Sequence, residues 1–238
     1  MSSSFSLDCV KPPVLLRDYR VPAWRVTTVD LEFALDPTAT IVTARLGVEQ
    51  DAAQGDAALE LDAEELDILE VHANGRVLGI GEYQLAANTL TIAGVREHAL
   101  IETRVRIAPQ RNTALQGLYC SGSRESGFLL TQCEAAGFRR ITPFIDRPDV
   151  LARYTVTLRA NRARFPVLLA NGNADGSGDL ADGRHWARFV DPHPKPSYLF
   201  ALVAGRLEHI EDEFVTAEGR RVALFIHAEA DAIGRCGW

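Results

Sequence analysis

Apolar residues recur at every second position over much of this chain, and this alternation constrains the fold more than any other feature. Successive side chains of a β-strand point to opposite faces of the sheet, so the alternation is typical of strands with one buried and one solvated face. Such strands are usually antiparallel. They predict an all-β fold, either a β-sandwich or a stack of curved antiparallel sheets. The clearest alternating segments are residues 31–35, 42–48, 101–107, 154–158 and 222–226.

Turn and helix signals are sparse by comparison. Asn74-Gly75 lies between two apolar runs and predicts a tight hairpin, because a type I′ turn needs positive φ at both central residues. Prolines at positions 12, 13 and 22 predict an irregular lead-in over residues 1–22. Residues 132–141 are the one stretch with a helical pattern, so one short helix is expected there.

The composition is that of an ordinary globular protein. The chain has 238 residues, of which 47% are hydrophobic, enough for one large or two small domains. Its 25 basic and 32 acidic residues give a net charge of −7, which argues against nucleic acid and against an anionic membrane surface as partners. We find neither an apolar run of the ~20 residues that a membrane span needs nor a secretory leader, so a cytoplasmic location is expected.

Metal-binding patterns are weak. The four cysteines have no zinc-ribbon spacing, and none of the six histidines begins a His-Glu-x-x-His motif. His209 with Glu211, and His227 with Glu229, would each put an imidazole and a carboxylate on one face of a strand, where they could seat a metal. A solvated polar strand face explains the same spacing, and we favour that interpretation.

Residues 171–182 approach the pattern of an EF-hand calcium loop. Oxygen-bearing side chains occupy five of the expected ligand positions, with glycine at position 176. Asn171 stands where that loop begins with Asp, Asp182 stands where it ends with Glu, and the flanking segments resemble strands. A polar hairpin loop is the interpretation we favour, and calcium binding stays the alternative.

Two further features carry charge or chemistry. Seven arginines between residues 139 and 164 form a locally basic segment, which we interpret as a salt-bridged face and not a nucleic-acid groove. Gln132 and Glu134 follow a glycine-rich loop at the start of the predicted helix. They could project into a cleft, or Glu134 could be a first-turn residue favoured by the helix dipole.

Several longer strings around these residues resemble one family. They are similar, in the same order, to segments of the bacterial aminopeptidase N family (alanyl aminopeptidases), which are gluzincin zinc metalloaminopeptidases. The strings are NTALQGLY (112–119), TQCEAAGFR (131–139), DRPDVLAR (146–153), GRHW (183–186), DPHPKP (191–196) and YLFALVAG (198–205).

This resemblance implies a saddle-like N-terminal β domain over residues 1–206. Residues 207–238 would then be the opening strands of a truncated thermolysin-like catalytic domain. The family's HExxH zinc site lies beyond this point, so zinc is expected for the complete enzyme, with no zinc ligand and no catalytic residue in this chain. The expected partners are the missing catalytic domain and the N-terminus of a peptide substrate.

The resemblance also assigns a role to two residues. Glu134 resembles the family residue that anchors the free α-ammonium of the substrate, and Gln132 resembles an amide that lines the same subsite. The alternative is a stand-alone β-sandwich module that binds peptide ends or a protein partner. An exposed apolar face and an unpaired strand edge within 207–238 would favour the fragment, and a polar, sealed surface would favour the module.

Overall fold

The alternating segments all form strands in the computed structural model, which describes residues 15–55, 57–122 and 127–237. The all-β prediction is confirmed. The strands, in chain order, are β1 (Trp24–Ala34), β2 (Thr40–Gln50), β3 (Leu59–Asp62), β4 (Asp67–Ala73), β5 (Arg76–Val77), β6 (Tyr83–Ala86), β7 (Thr89–Ile92), β8 (His98–Ile107), β9 (Gly117–Ser121), β10 (Phe128–Gln132), β11 (Leu151–Asn161), β12 (Val167–Ala170), β13 (Asn173–Asp179), β14 (Arg184–Pro196), β15 (Leu202–Gly205), β16 (Glu208–Val215) and β17 (Arg221–Ala228).

The helical structure of the described residues consists of single 3-10 turns. No helix among these residues is long and apolar enough to cross a membrane. The 3-10 turns are Leu16–Asp18, Ala52–Gln54, Pro109–Arg111, Phe138–Arg140, Ser197–Leu199 and Ile233–Arg235.

An eight-stranded sheet is the frame of the fold. Its strand order is β13-β14-β11-β1-β2-β8-β4-β5, and β1 pairs with β11 in parallel while the other pairs are antiparallel. The alternation seen in the sequence separates its two faces, as Leu31, Leu46 and Val105 are fully buried while Arg104 is exposed. A four-stranded sheet (β12-β15-β10-β9) and a three-stranded sheet (β3-β7-β6) share one hydrophobic core with it.

The predicted Asn74-Gly75 hairpin is confirmed. Both residues have positive φ, 51° and 77°, and they join β4 to β5. The Asn74 side chain also accepts a hydrogen bond of 2.9 Å from the backbone N–H of Leu100, which ties this turn to β8.

The short helix expected over residues 132–141 is a turn followed by one 3-10 turn, Phe138–Arg140. Gly137, a poor helix former, lies in the middle of the segment, and the chain turns there close to the Gly117 nitrogen. Beyond the segment, Ile141–Asp146 are six consecutive buried residues, which one face of an α-helix cannot bury in succession. Pro143 also prevents a helix from continuing through this segment.

Residues 171–182 form neither a calcium loop nor the hairpin loop that we favoured. Most of this segment is β13, an edge strand paired with β14. Its carboxylates extend along the strand instead of converging, and each is paired with an arginine: Asp175 with Arg188, Asp179 with Arg162, and Asp182 with Arg184.

The last two strands form a hairpin of their own. β16 and β17 make a two-stranded sheet, and none of the described residues after Gly205 is buried. Directly paired residues share a face, so one face carries Ile210, Phe214, Val222, Leu224 and Ile226, together with the charged residues Glu208 and Asp212. Phe214 is 57% exposed and Leu224 is 38% exposed, so this apolar face is open to solvent.

Candidate functional site

Gln132 and Glu134 lie at the end of β10 and in the turn that follows. Gln132 pairs with Gly117 of β9, and Glu134 begins the turn, with a cis peptide bond between it and Ala135. Both side chains are exposed, and neither has a hydrogen-bond or ion-pair partner among the described residues. The structure therefore presents one carboxylate and one amide, two residues apart, with their hydrogen-bonding capacity free.

Two glycines hold this turn close to β9. A side-chain carbon on Gly137 would lie 2.5 Å from the carbonyl oxygen of Gln132 and 2.9 Å from the nitrogen of Gly117. Gly117 has φ +75°, and a side-chain carbon there would lie 2.8 Å from Cβ of Arg140. Backbone can approach backbone this closely only where both positions lack a side chain.

Buried residues fix the turn on both sides of Glu134. Cys133 is buried directly before it, and the N–H of Gly137 donates to the Cys133 carbonyl over 2.7 Å. Phe138 is fully buried, with ring centroids 4.8 Å from Phe144 and 5.3 Å from Phe200. With both flanking residues held in the core, the Glu134 side chain is directed outward.

A buried ionic network continues from the turn. The Asp146 carboxylate accepts hydrogen bonds from the Arg139 backbone N–H and Nε, both at 3.1 Å, and from the Ser197 hydroxyl at 2.6 Å. Arg139 also pairs with Asp62 at 3.1 Å, and the Asp146 N–H donates to Asp62 over 3.1 Å. The network thus joins the end of β3, the Glu134 turn and the 3-10 turn Ser197–Leu199.

Glu134 carries the exposed carboxyl group of this turn. Burial raises the pKa of the neighbouring Cys133 thiol, so it stays protonated and is not a nucleophile at neutral pH. Burial also raises the pKa of Asp62, an effect that the Arg139 guanidinium opposes. What this arrangement can do chemically is accept hydrogen bonds from a cation that reaches the surface.

The histidines singled out in the sequence meet across the last hairpin. His209 and His227 are register partners with ring centroids 5.4 Å apart, and His209 Nε2 lies 3.2 Å from Glu211. Even so, no group of three or more histidine, cysteine, aspartate or glutamate side chains suited to a metal comes together within the described ranges. The residues present do not fit a zinc centre, and we assign no zinc-dependent step to them.

The basic segment is paired, as the salt-bridge interpretation predicted. Five of the seven arginines pair with carboxylates: Arg139 as above, Arg140 with Glu64 and Glu65, Arg147 with Asp149, Arg159 with Glu32, and Arg162 with Asp179. Arg153 instead donates to the Pro192 carbonyl at 3.1 Å, and the Arg164 guanidinium lies 5.3 Å from the centre of the Phe165 ring.

Sequence reasoning missed the supports of the turn. Asp62 and Ser197 lie 84 and 51 positions from Asp146, and nothing local marks either residue as its partner. The available signal was the density of charge between residues 139 and 149, which predicted ion pairs without naming the acids across the fold.

Comparison with known proteins bears on the family and the fold. The family model described as Peptidase M1 N-terminal domain matches residues 26–199, a range that contains Gln132 and Glu134. Aminopeptidase N of Caulobacter vibrioides is 46% identical over 225 residues, which cover 94% of this chain and 25% of that protein. Aminopeptidase N of Escherichia coli is 44% identical over 223 residues, covering 93% and 25%. The chain thus spans about a quarter of the length of these curated relatives.

Solved structures agree. Aminopeptidase A of Legionella pneumophila, in complex with aspartic acid, superposes with a TM-score of 0.85 at 33% identity, over 93% of this chain and 26% of that one. An M1 zinc metallopeptidase mutant of Deinococcus radiodurans bound to a Tyr-Ser-Ala substrate gives a TM-score of 0.70 at 18% identity, over 87% and 48%. At that identity the second likeness shows the fold alone.

Proposed function

Because the chain belongs to the M1 peptidase family, whose N-terminal domain it carries, we propose that it is the N-terminal β domain of a zinc-dependent aminopeptidase and supplies part of the anchor for the substrate's free α-amine. In this proposal Glu134 accepts hydrogen bonds from the ammonium group, and Gln132 lines the same subsite. The observation that carries it is the exposed Glu134 carboxylate, which has no partner in the described part of the chain and lies on a turn held rigidly by its neighbours.

The chemistry of the turn supports an ammonium ligand. A hydrogen bond between an ammonium and a carboxylate is charge-assisted and roughly twice as strong as a neutral one. An anchor at the amino terminus would also set which peptide bond reaches the catalytic groups, and so make the enzyme an exopeptidase by positioning. The names of the two relatives called aminopeptidase N are consistent with peptide as the substrate class.

In this proposal zinc is bound by the part of the longer protein that lies outside this chain. A zinc ion would polarise the scissile carbonyl and activate water, but the described residues bring no suitable ligand group together. The role of this chain is therefore substrate binding, and its zinc-binding partner would be the remaining three quarters of the polypeptide that its relatives contain.

The last hairpin favours a fragment of a larger enzyme over a stand-alone binding module. Its apolar face, with Phe214 and Leu224, is exposed, and its two strands pair only with each other among the described strands. A self-contained module would gain solubility from a polar surface at this place. A following domain that packs on this hairpin would bury the apolar face and pair a free strand edge.

Substitution of Glu134 in the complete enzyme tests the proposal. We expect Glu134→Gln to lower kcat/KM for an alanyl amide by ten- to a hundredfold, about 1.5–3 kcal/mol, since a hydrogen bond to a charged group is lost. The loss should fall mainly on KM. Glu218→Gln, in the exposed turn between β16 and β17, is the matched control and should leave kcat/KM unchanged.

The 238-residue chain with added zinc serves as the blank and should not hydrolyse the amide. Unchanged kinetics in the Glu134 variant would remove this residue from the subsite without affecting the family assignment. Chelator-sensitive turnover by the chain alone would contradict the assignment of all catalysis to the missing part.

A further inference from the structure

A cleft of about 690 Å³ lies between the last hairpin and the edge of the eight-stranded sheet. Residues of β12, β13 and β14 line it on the sheet side, and His209 and His227 line it on the hairpin side. These two histidines are register partners on the hairpin face opposite to the apolar face. The linker to the hairpin is held at its start, because the Arg206 side chain donates to the Ala163 carbonyl over 2.6 Å. The hairpin therefore turns its histidines towards the sheet.

His227 is placed so that its uncharged form is favoured. Burial lowers the pKa of its imidazole, and His209, whose ring centroid is 5.4 Å away, adds to this effect. The Nδ1 atom of His227 is shielded from solvent and has no hydrogen-bond partner among the described residues. Since a protonated imidazole carries a hydrogen on both nitrogens, charging His227 here would leave a buried N–H without an acceptor. Such an unsatisfied donor destabilises the arrangement that contains it.

The charged groups on the sheet side of the cleft do not favour a positive charge on the hairpin histidines. Arg162 pairs with Asp179 at 3.1 Å, and its Nη1 also lies 3.1 Å from Nδ1 of His185. Arg188 pairs with Asp175, and β12 contributes only apolar residues to the lining. The carboxylates that the structure describes on this wall are thus already paired with arginines. A proton gained by a hairpin histidine would add positive charge to the cleft.

The acidic residues of the hairpin differ in what they can do for the two histidines. Glu211 Oε1 lies 3.2 Å from Nε2 of His209, so it supports a positive charge on His209. Glu229 is directed elsewhere, with Oε1 3.7 Å from the position that a Cβ on Gly122 would take. The other charged residues of this face pair with each other: Glu213 with Arg221, at 2.6 Å. A charge on His209 would oppose a second charge on His227 at 5.4 Å.

We propose that His227 is an acid-sensitive latch, which holds the hairpin against the sheet edge while its ring is neutral and releases the hairpin when the ring gains a proton. In the released position both ring nitrogens reach water, and His227 titrates near the ordinary histidine pKa of about 6.5. The pKa of His227 is lower in the closed position. The closed position is therefore fully favoured above pH ~6.5 and loses stability relative to the released one as the pH falls below that value.

NMR of the 238-residue chain with a neutral gadolinium chelate in the solvent tests the proposal. The chelate enhances the relaxation of groups that it can approach, and the methyl groups of Val167 and Leu168 line the cleft on the sheet side. We expect their relaxation enhancement to rise at least twofold between pH 7.5 and pH 5.0, as the hairpin moves away. The Leu31 methyl groups, fully buried in the core, are the internal reference and should not change.

Three variants assign the response to this latch. His227→Gln cannot gain a proton, so its enhancement should stay at the pH 7.5 value at both pH values. His209→Gln leaves His227 in place and should move both the His227 titration midpoint and the opening to higher pH. His193→Gln, an exposed position of β14 outside the cleft, is the matched control and should respond as the wild type does.

Two results would overturn the proposal. One is an enhancement in the wild type that does not change between the two pH values. The other is a pH response that persists in His227→Gln, or that does not move in His209→Gln. None of these outcomes depends on Glu134 or on the proposed aminopeptidase function.

Discussion

The Asp146 carboxylate is almost fully enclosed, with its side chain 1% exposed, and it accepts hydrogen bonds from the nearby Arg139 and from Ser197 in a distant 3-10 turn. Removing its charge leaves the partly buried Arg139 guanidinium with only Asp62 as counter-ion. We expect Asp146→Asn to lower the free energy of unfolding by about 3 kcal/mol, the lower end for a broken buried pair, because Arg139 keeps some solvent contact. Urea denaturation followed by circular dichroism measures it.

Asp175→Asn is the matched control for that substitution. Asp175 also pairs with an arginine, Arg188, but both side chains are close to half exposed. Exposed ion pairs contribute about 0–1 kcal/mol, so this variant should denature almost as the wild type does. Equal losses in the two variants would contradict a structural role for the buried network.

Glu82 alone makes part of the stability of the fold depend on pH. It accepts hydrogen bonds from Arg76 and from the backbone N–H of Gly79, and these contacts, led by Arg76, lower its pKa from 4.5 to about 2. A carboxyl with a depressed folded-state pKa stabilises the fold above its unfolded pKa. That contribution is lost as the pH falls from about 4.5 towards 2.

An NMR titration of the Glu82 side-chain carbonyl should show this low midpoint. In an Arg76→Met variant the midpoint should move up towards 4.5, because the largest contact is gone. A wild-type midpoint near 4.5 would mean that the ion pair does not form in solution.

At the scale of elements, the close approach of β9 to the Glu134 turn is possible because Gly137 has no side chain. Gly137→Ala would place a carbon 2.5 Å from a backbone oxygen that cannot move without disturbing β10. We expect a loss of about 1–3 kcal/mol, typical of overpacking, which thermal unfolding would detect. Gly234→Ala is the control, because no heavy atom lies within 4 Å of the added carbon. An unchanged melting temperature for the Gly137 variant would contradict the close approach.

The elements also show which structure is predictable from sequence. The alternation in 101–107 is a local pattern, and β8 (His98–Ile107) buries its apolar residues as predicted. β13 (Asn173–Asp179) has almost every residue exposed, so no periodic burial could mark it as a strand. The parallel pairing of β1 with β11 was also missed, since a pairing partner so far along the chain leaves no local pattern.

The candidate site is also only partly predictable from the sequence. Gln132 and Glu134 were found through motifs in one continuous segment, and the structure places both on the surface. The ionic network behind the turn is assembled from separate strands and turns, so its members become partners only once the chain has folded. The amine-anchoring role of Glu134 stays a prediction until the complete enzyme is tested.

For the whole molecule, a domain boundary near residue 206 predicts that the first domain unfolds cooperatively without help from the last hairpin. No described residue after Gly205 is buried, so residues 207–238 add little to the core. A chain that ends at residue 206 should therefore unfold at nearly the same urea concentration, with a change below about 1 kcal/mol in the free energy of unfolding. Circular dichroism measures the midpoint. A large loss of stability would place the hairpin within the first domain and move the boundary.

The parallel pairing of β1 with β11 also has a consequence for synthesis on the ribosome. Thr28 is in register with Arg153, so 125 residues must be added before the edge of β1 can meet its neighbour. At ~5–20 residues per second, that takes roughly 6–25 s. During this interval β1 and β2 can pair with each other, but the other edge of β1 has no partner. The nascent chain therefore carries an open strand edge for seconds, which makes this interval its period of greatest exposure to aggregation and to chaperones.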